Sequence, residues 1–465
     1  MIKSVFWVIL AGMVLFSSCK TFEAKSEISL PLMMPDHFSI DAGESDVIED
    51  WWLRFNSEEL NALIKEAKDA NFDLKIIRTR IAQAKARVAK EDASFLPDLG
   101  FSVGGQKTGV QVKNTYGSSS SYDDSHSWDG SLSGSHTVDV WGKANAGKQS
   151  QVLSLNAAMQ DLRVSTLELT ADIAETWIDI ISARNKKNIL DNQIKSNKTL
   201  LELQKLRFAN GKADALDVSQ QRQALAEASS QAPLLEKQER LLLNHLAFLS
   251  GKTAIDNIQV DTQILPDPVP LSRAGIPSDL LENRPDIQAA FMRLRSSRWG
   301  VTAAKADLLP SFKLTAHALF SSGQLDLLFH NWVATLVGSI AGPIFDGGLR
   351  KAEVKRLKAV AEERLNLYAK TVAKAIREVE DSLSSIQKQE DYIKLLEEEL
   401  GVVRLTLKDA MLQYRNGQSS YLSYLIAWTS IERLERQLVG ARATMIKERI
   451  GLYRSLGWKS APELK

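Results

Sequence analysis

The chain is built twice, and each copy sets a polar, alternating segment between long helical stretches. Ala93-Ser94-Phe95-Leu96-Pro97 recurs as Ala306-Asp307-Leu308-Leu309-Pro310, and Phe208-Ala209-Asn210-Gly211 recurs as Tyr414-Arg415-Asn416-Gly417. Leu216 matches Leu422, and Gly251 matches Gly457. The offset is 213 residues at the first landmark and 206 at the later ones, so the first inserted segment is the longer. A duplication with this anatomy is a statement about architecture. It points to a fold that one chain does not complete.

The amino terminus predicts export. A basic start, Met1-Ile2-Lys3, precedes an apolar run from Ser4 to Phe16 and then Ser17-Ser18-Cys19. The run is too short to cross a bilayer as a stable helix, so residues 1–18 read as a secretory signal peptide. Cys19 is the only cysteine and stands where cleavage would leave it first. The site resembles a bacterial lipobox, with Phe16 where leucine is usual. The implied chemistry is a diacylglycerol thioether on Cys19, cleavage before it, and acylation of the new amine. An unmodified cysteine near an ordinary cleavage site, or an uncleaved anchor, is the alternative. Lys20 in place of aspartate implies onward export to the outer membrane.

One cysteine permits no intrachain disulfide, so stability rests on packing and assembly. The formal charge of +1 falls to 0 once Lys3 leaves with the signal. That balance argues against a nucleic-acid partner. Residues 19–50, polar and with Pro31, Pro35 and Gly43, read as a lipidated tether.

Helical spacing begins at Asn56 and continues to Glu91, with a counterpart from Asp286 to Ala306. Further on, Val372, Val379, Ile386, Ile393, Leu400, Leu407 and Tyr414 fall at every seventh position. The matching first-copy positions include Ile173, Ile180, Ile194, Leu201 and Phe208. A strict seven-residue repeat predicts helices packed side by side with a left-handed supercoil. From Ala144 to Ala209 there is no proline, and a continuous helix of that length would measure ~100 Å. Periodicity alone fits a soluble coiled-coil scaffold equally well.

The inserts decide otherwise, because they alternate with period two. Leu99, Phe101 and Val103 oppose Gly100, Ser102 and Gly104; Trp128, Leu132, Val138 and Val140 oppose Asp129, Ser131, Ser133, Ser135, Thr137 and Asp139. In the second copy Phe312, Leu314, Ala316, Ala318 and Phe320 oppose Lys313, Thr315 and His317, while the return segment, Trp332 to Phe345, is mixed on both faces. Strands are expected at 98–112, 127–141, 311–322 and 331–345, with a polar loop from Thr115 to Ser125. No second sheet is available to cover them. After an export signal, strands with one apolar face read as membrane barrel strands. Four cannot close a barrel and open edges are not tolerated in lipid, so the chain must oligomerise.

Enzymatic signals are weak. Gly100-Phe101-Ser102-Val103-Gly104 has the spacing of a hydrolase nucleophile elbow, but that elbow needs a strand, a sharp turn and a helix. The six histidines lack the helical spacing of a zinc site. Trp51-Trp52 before the first helix reads as a packing anchor sooner than a sugar platform. No enzyme activity and no cofactor beyond the lipid on Cys19 are expected.

Several strings together resemble the outer-membrane efflux proteins of the TolC type, in particular the lipoprotein branch similar to OprM and NodT. They are Trp51-Trp52-x-x-Phe55, Gly275-Ile276-Pro277-Ser278-Asp279-Leu280-Leu281, Arg284-Pro285-Asp286-Ile287, Pro343-Ile344-Phe345-Asp346-Gly347-Gly348, Asp139-Val140-Trp141-Gly142-Lys143 and Leu452-Tyr453-Arg454-Ser455-Leu456-Gly457. The resemblance covers almost the whole mature chain. It implies a mainly α fold with a membrane β-barrel portion: four strands per chain, a homotrimer with one twelve-stranded β-barrel, and a periplasmic α-helical barrel continuing it. Repeats at 51–251 and 273–458 follow, with a linker at 252–272 and a tail at 459–465.

The same resemblance implies a passive exit duct in the outer membrane for small molecules such as drugs or toxic compounds, lipid-anchored and extending into the periplasm. Its partners would be a periplasmic adaptor and an inner-membrane pump of the resistance-nodulation-division type. It places Asn210, Gly211, Asn416 and Gly417 at adaptor-docking tips. A periplasmic gate would follow, with Leu422 in an apolar ring and Asp214 and Asp217 as the first-copy carboxylates. The second-copy aspartate of many relatives is replaced here, with Ser423, Tyr424 and Ile426 nearby. Closure by Leu422, Tyr424 and Ile426 through dewetting is therefore expected. A protein-secretion duct of the same fold, and a non-channel periplasmic coiled-coil scaffold, are the alternative readings.

Overall fold

A computed structural model describes residues 31–39, 50–113, 120–253, 258, 260–271 and 275–457. Cys19, the signal peptide and the tail at 459–465 lie outside the described residues. The chain divides into two compact units, one formed among the described residues by 80–158 and 290–368, the other by 32–79, 159–289 and 369–457.

The predicted single helix from Asn56 to Glu91 is two helices, α1 (Glu58–Ala70) and α2 (Phe72–Ala93). Asn71 makes the break. Its carboxamide oxygen accepts from the backbone N–H of Asp73 at 2.9 Å and of Leu74 at 3.1 Å, starting a new helix where the old one ends. Next come strands β1 (Asp98–Lys113) and β2 (Ser120–Val138), then α3 (Lys143–Ala209) and α4 (Ala215–Leu249). The second copy repeats the order with α5 (Pro285–Ala306), β3 (Ser311–Ser322), β4 (Trp332–Ala341), α6 (Leu349–Arg415) and α7 (Tyr421–Leu456). Helices α3 and α6 have 67 residues each, as the proline-free repeat predicts for the first of them.

In the first unit the four strands form one antiparallel sheet in the order β1-β2-β3-β4, with β1 and β4 at its edges. The register aligns Phe101 with Leu132, Leu132 with Ala318, and Ala318 with Ala334; one step away Val103, Gly130, Phe320 and Trp332 line up. One face is therefore apolar. Leu99, Phe101, Leu132, Leu336 and Ile340 on it are all more than half exposed in the single chain. Aromatic rings bound this face at both ends: Trp128, Phe320 and Trp332 at one, Phe312 and Trp141 at the other. The Trp141 indole donates to the Pro310 carbonyl at 2.7 Å and its ring lies 6.2 Å from Phe312. From Phe312 to Phe320 is about 27 Å along the strand, or roughly 21 Å at a 40° tilt, close to the ~25 Å apolar band of a membrane barrel.

Strands β2 and β4 differ from expectation, and β2 stops at Val138, short of 141, where the chain turns toward α3. Strand β2 starts at Ser120, not 127, because the serine-rich stretch pairs with β1 as far as Lys113. The Lys107 to Asp124 ion pair, 2.9 Å long, stands on the same parity as Trp128 and ends the apolar band there. Strand β4 stops at Ala341 before Pro343. Its mixed pattern has a cause in the register: Leu319, Val333 and Val337 stand on the polar face, opposite Ser131 and Thr315. The Gly100-to-Gly104 string is continuous strand, and Ser102 shares a hydroxyl hydrogen bond of 2.8 Å with Ser131, so the elbow turn is not formed.

The strand-to-helix junctions repeat as well. Asp139 accepts from the N–H of Asn145 at 2.9 Å where α3 begins, and Asp346 accepts from Gly348 at the same distance before α6. Lys143 pairs with Asp307, to which Arg350 also binds, so the two copies are cross-linked at this end of the sheet.

The second unit has its core at Trp51, Trp52, Phe55, Leu60, Ile64, Trp177, Ile178 and Tyr453. Trp51 is 1% exposed and stacks on Tyr453 with centroids 5.8 Å apart, which makes the tryptophan pair a packing anchor. The heptad residues Val372, Val379, Ile386 and Leu400 are buried. Both copies close in the same way: a Cβ on Gly251 would lie 2.6 Å from the Ala70 carbonyl oxygen, and one on Gly457 2.5 Å from that of Asn283. Both glycines have positive φ, +69° and +74°. Gly251→Ala and Gly457→Ala are each expected to cost about 1–3 kcal/mol from backbone conformation alone. Thermal unfolding of the detergent-solubilised protein checks this, and unchanged midpoints would show that the approach is not constrained.

Candidate functional site

The two turns predicted at the helical tips have one geometry. After α3, Gly211 N–H donates to Phe208 O at 2.9 Å and Lys212 N–H to Arg207 O at 2.8 Å. After α6, Gly417 N–H donates to Tyr414 O at 3.1 Å and Gln418 N–H to Gln413 O at 2.9 Å. This nested pair of bonds closes a helix around a left-handed residue, and both glycines hold φ near +70°, at +66° and +71°. Asn210, Gly211, Asn416 and Gly417 are all exposed.

Just beyond the turns, the candidate gate residues separate by helical phase. Leu422 and Ile426 are four apart, hence on one face of α7, and are 44% and 57% exposed. Leu216, the first-copy match of Leu422, is 65% exposed. Tyr424 lies on another face. Its ring stacks between Tyr414 at 6.5 Å and Trp428 at 6.2 Å, with Tyr421 5.7 Å away. Asp214 is the N-cap residue of α4, and the Asp217 carboxylate accepts from the Asp214 N–H at 3.3 Å. Both carboxylates thus sit at the positive end of a helix macrodipole.

Beneath these residues runs a buried polar network that the sequence reading did not anticipate. The Tyr421 hydroxyl donates to Gln221 Oε1 at 2.5 Å; Gln221 donates to Asn197 Oδ1 at 2.8 Å; Asn197 donates to Glu432 Oε1, also at 2.8 Å. Trp428 donates to the same Glu432 oxygen at 2.8 Å, and Gln193 donates to the Glu432 carbonyl at 3.0 Å. Helices α3, α4 and α7 are joined through side chains nearly all buried. Asn197 and Gln204 recur at the seven-residue spacing that begins with Leu190, so polar groups at buried heptad positions were the available signal. Such groups fix register at the expense of stability.

Burial pushes the Glu432 carboxyl above its ordinary range, partly offset by the bonds from Trp428 and Asn197. In the folded chain it therefore holds its proton to higher pH than in the unfolded chain, so its contribution to stability falls as pH rises through that window. Glu432→Gln keeps an acceptor for Asn197 and Trp428 and removes the titration. Relative to the parent, it is expected to gain stability between pH 5 and pH 8. Glu432→Ala leaves the Trp428 indole without its acceptor and Asn197 with the Gln193 carbonyl alone, and should cost about 1–3 kcal/mol. Melting curves across that range check both, and parallel pH slopes for parent and Glu432→Gln would exclude this role.

The outer membrane efflux protein family model matches residues 63–252 and 276–458. The chain belongs to the outer membrane efflux protein family. It is 30% identical over 428 residues to the pyoverdine export outer membrane protein OpmQ of Pseudomonas aeruginosa, covering 90% of each chain. It is 29% identical to nodulation protein T of Rhizobium leguminosarum bv. trifolii, covering 90% of this chain and 89% of that protein. Among solved structures, the CmeC outer membrane channel of Campylobacter jejuni superposes with a TM-score of 0.85 at 20% identity, covering 94% of this chain and 95% of that one. This member of the efflux family therefore has the fold of an outer-membrane channel. Its role is transport through the outer membrane as a component of an efflux system, without an enzymatic reaction.

Proposed function

We propose that three copies of this chain close one twelve-stranded barrel and act as the passive outer duct of a tripartite pump. The observation that carries the reading is a four-stranded sheet with an apolar face, which this reading turns to the lipid, and edges at β1 and β4 that no other described strand covers. Unpaired edges are not tolerated in lipid, so neighbouring copies must pair with them. A periplasmic adaptor docks at the exposed turns around Asn210, Gly211, Asn416 and Gly417, and an inner-membrane pump of the resistance-nodulation-division type supplies the energy. Cargo is a small organic molecule, the class to which the pyoverdine of the OpmQ relative belongs.

The resting closure is formed by Leu422 and Ile426, with Tyr424 holding their helix in place and Asp214 and Asp217 lining the approach. Planar-bilayer conductance of the purified protein, with its oligomeric mass measured in the same detergent, tests the assembly. A trimer with small, mostly closed pores is expected. A monomer or dimer without conductance would return the helices to the coiled-coil scaffold.

The anchor is the lipid on Cys19. Mass spectrometry of the mature amino terminus is expected to find Cys19 first, carrying a diacylglyceryl thioether and an N-acyl chain. Cys19→Ser should lose all three acyl groups, each chain contributing ~0.8 kcal/mol of membrane affinity per buried CH₂. A free thiol at Cys19 in the membrane-extracted protein would sink the assignment.

A further inference from the structure

The two hairpins of the sheet end differently at the side away from the helices. The β1–β2 hairpin continues past the apolar band with Lys107, Tyr122, Asp124 and His126 on the outward parity. The β3–β4 connection, residues 323–331, is short and apolar: Gly-Gln-Leu-Asp-Leu-Leu-Phe-His-Asn, with no lysine or arginine. It is a compact turn held by its own backbone. Leu328 N–H donates to Leu325 O at 3.3 Å and His330 N–H to Leu327 O at 3.0 Å.

This turn lies against the outward face of the sheet. A Cβ built on Gly130 would point toward Leu328, whose Cδ2 is 3.9 Å away, with the Cβ of Phe320 at the same distance. Gly130 shares its parity with Trp128 and Leu132, so the socket that Leu328 fills opens on the lipid-facing side. Leu328 is 4% exposed although neighbouring outward residues are open. Phe329 packs edge-to-face on Phe320 with centroids 5.5 Å apart. With Leu328 seated there, Leu325, Leu327 and Phe329 remain exposed, at 57%, 41% and 73%.

We infer that the β3–β4 turn is a lipid wedge: plugged into Gly130 by Leu328, it presents Leu325, Leu327 and Phe329 to the acyl chains of the outer leaflet. Three large apolar side chains continuous with the apolar band at Phe320 and Trp332, in a turn with no lysine or arginine of its own, fit acyl chains. The wedge depends on the outer-membrane placement of the sheet and on no particular pump, adaptor or cargo. Three copies would set three wedges around the barrel rim.

The test is a fluorescent thiol label at Leu325→Cys and, separately, Leu327→Cys in the full-length protein, reconstituted in phosphatidylcholine vesicles. Reference labels stand at Leu132→Cys on the lipid face and Tyr122→Cys on the polar hairpin, and protein without an added cysteine reports background. Nitroxide attached high on the acyl chain should quench the turn labels as it quenches Leu132. Aqueous iodide should quench them roughly fivefold less than Tyr122, as an interfacial position requires. Gly130→Val, which fills the socket, and Leu328→Ala, which removes the plug, should each raise iodide quenching at the turn while leaving Leu132 unchanged. Iodide quenching equal to that of Tyr122 would overturn the wedge, and so would labels shielded from both quenchers, which would mean a protein covering. A Leu132 label outside lipid would instead fault the placement of the whole sheet.

Discussion

Replacing Leu422 and Ile426 together by alanine is expected to turn a channel that rests closed into one open for most of a recording, raising mean conductance by about tenfold or more. The two side chains are one helical turn apart at the start of α7, on a face that the rest of the chain leaves exposed. In the proposed trimer they would form two stacked apolar rings about the axis. A narrow apolar constriction excludes water before it is sterically shut, and ions cannot follow without water. Alanine removes most of the side-chain volume at both levels, so the constriction wets. Ile426→Asp should also wet it while adding a ring of negative charge, and the open pore should then favour cations. Tyr424→Ala predicts a different phenotype. Its ring is spent on Tyr414 and Trp428, so its loss loosens the helix pair and lowers the unfolding temperature before it changes conductance. Double-variant records that stay at the parent's closed level would place the closure elsewhere.

That separation of Tyr424 from Leu422 and Ile426 was legible in principle, because residues two apart on a helix point some 200° apart. Proximity in sequence to the replaced aspartate groups the three, and helical phase divides them. The duplication, the four strands and the long helices follow from period-two and period-seven patterns because each pattern reports a single buried face. Where a segment serves two environments the pattern fades. Strand β4 carries Val333 and Val337 on the polar side of the sheet, and the serine-rich start of β2 pairs with β1 beyond the apolar band, where β2 itself has no apolar alternation to mark it. Asn71 splits one helix into two through hydrogen bonds that leave the apolar spacing intact on both sides. The Asn197–Gln221–Glu432 network escapes pattern reading for a further reason. Its partners come from three helices, and only the fold shows that they meet.

Arg284 is the residue whose loss should most damage the helical unit. It is 7% exposed, and its guanidinium grips Asp286 through two bonds of 3.0 and 2.7 Å, Glu378 at 2.8 Å and the Ser455 carbonyl at 2.8 Å. One side chain thereby ties the start of α5 to α6 and to the end of α7. Desolvation works against its charge, but the bonds to Asp286 and Glu378 outweigh this and hold its pKa above the ordinary arginine value. Arg284→Ala leaves Asp286 without this cation and Glu378 with Lys374 alone, beside Glu168 and Asp172, whose pKa values burial already raises. Breaking a buried pair from one side costs about 3–5 kcal/mol. Taking a cation from the pocket that holds Glu168 and Asp172 should raise these two carboxyls further, so stability of the variant falls more steeply as pH rises through their range. Its deficit against the parent is thus expected to be larger at pH 8 than at pH 5. Adding Asp286→Asn and Glu378→Gln to Arg284→Ala removes the stranded charge and should recover much of the loss, because the charge imbalance contributes more than the missing contacts. Thermal unfolding of all three proteins at both pH values decides it. An Arg284→Ala deficit equal at pH 5 and pH 8, with no recovery in the triple variant, would mean that the packing of the arginine stem, and not its charge, holds the three helices together.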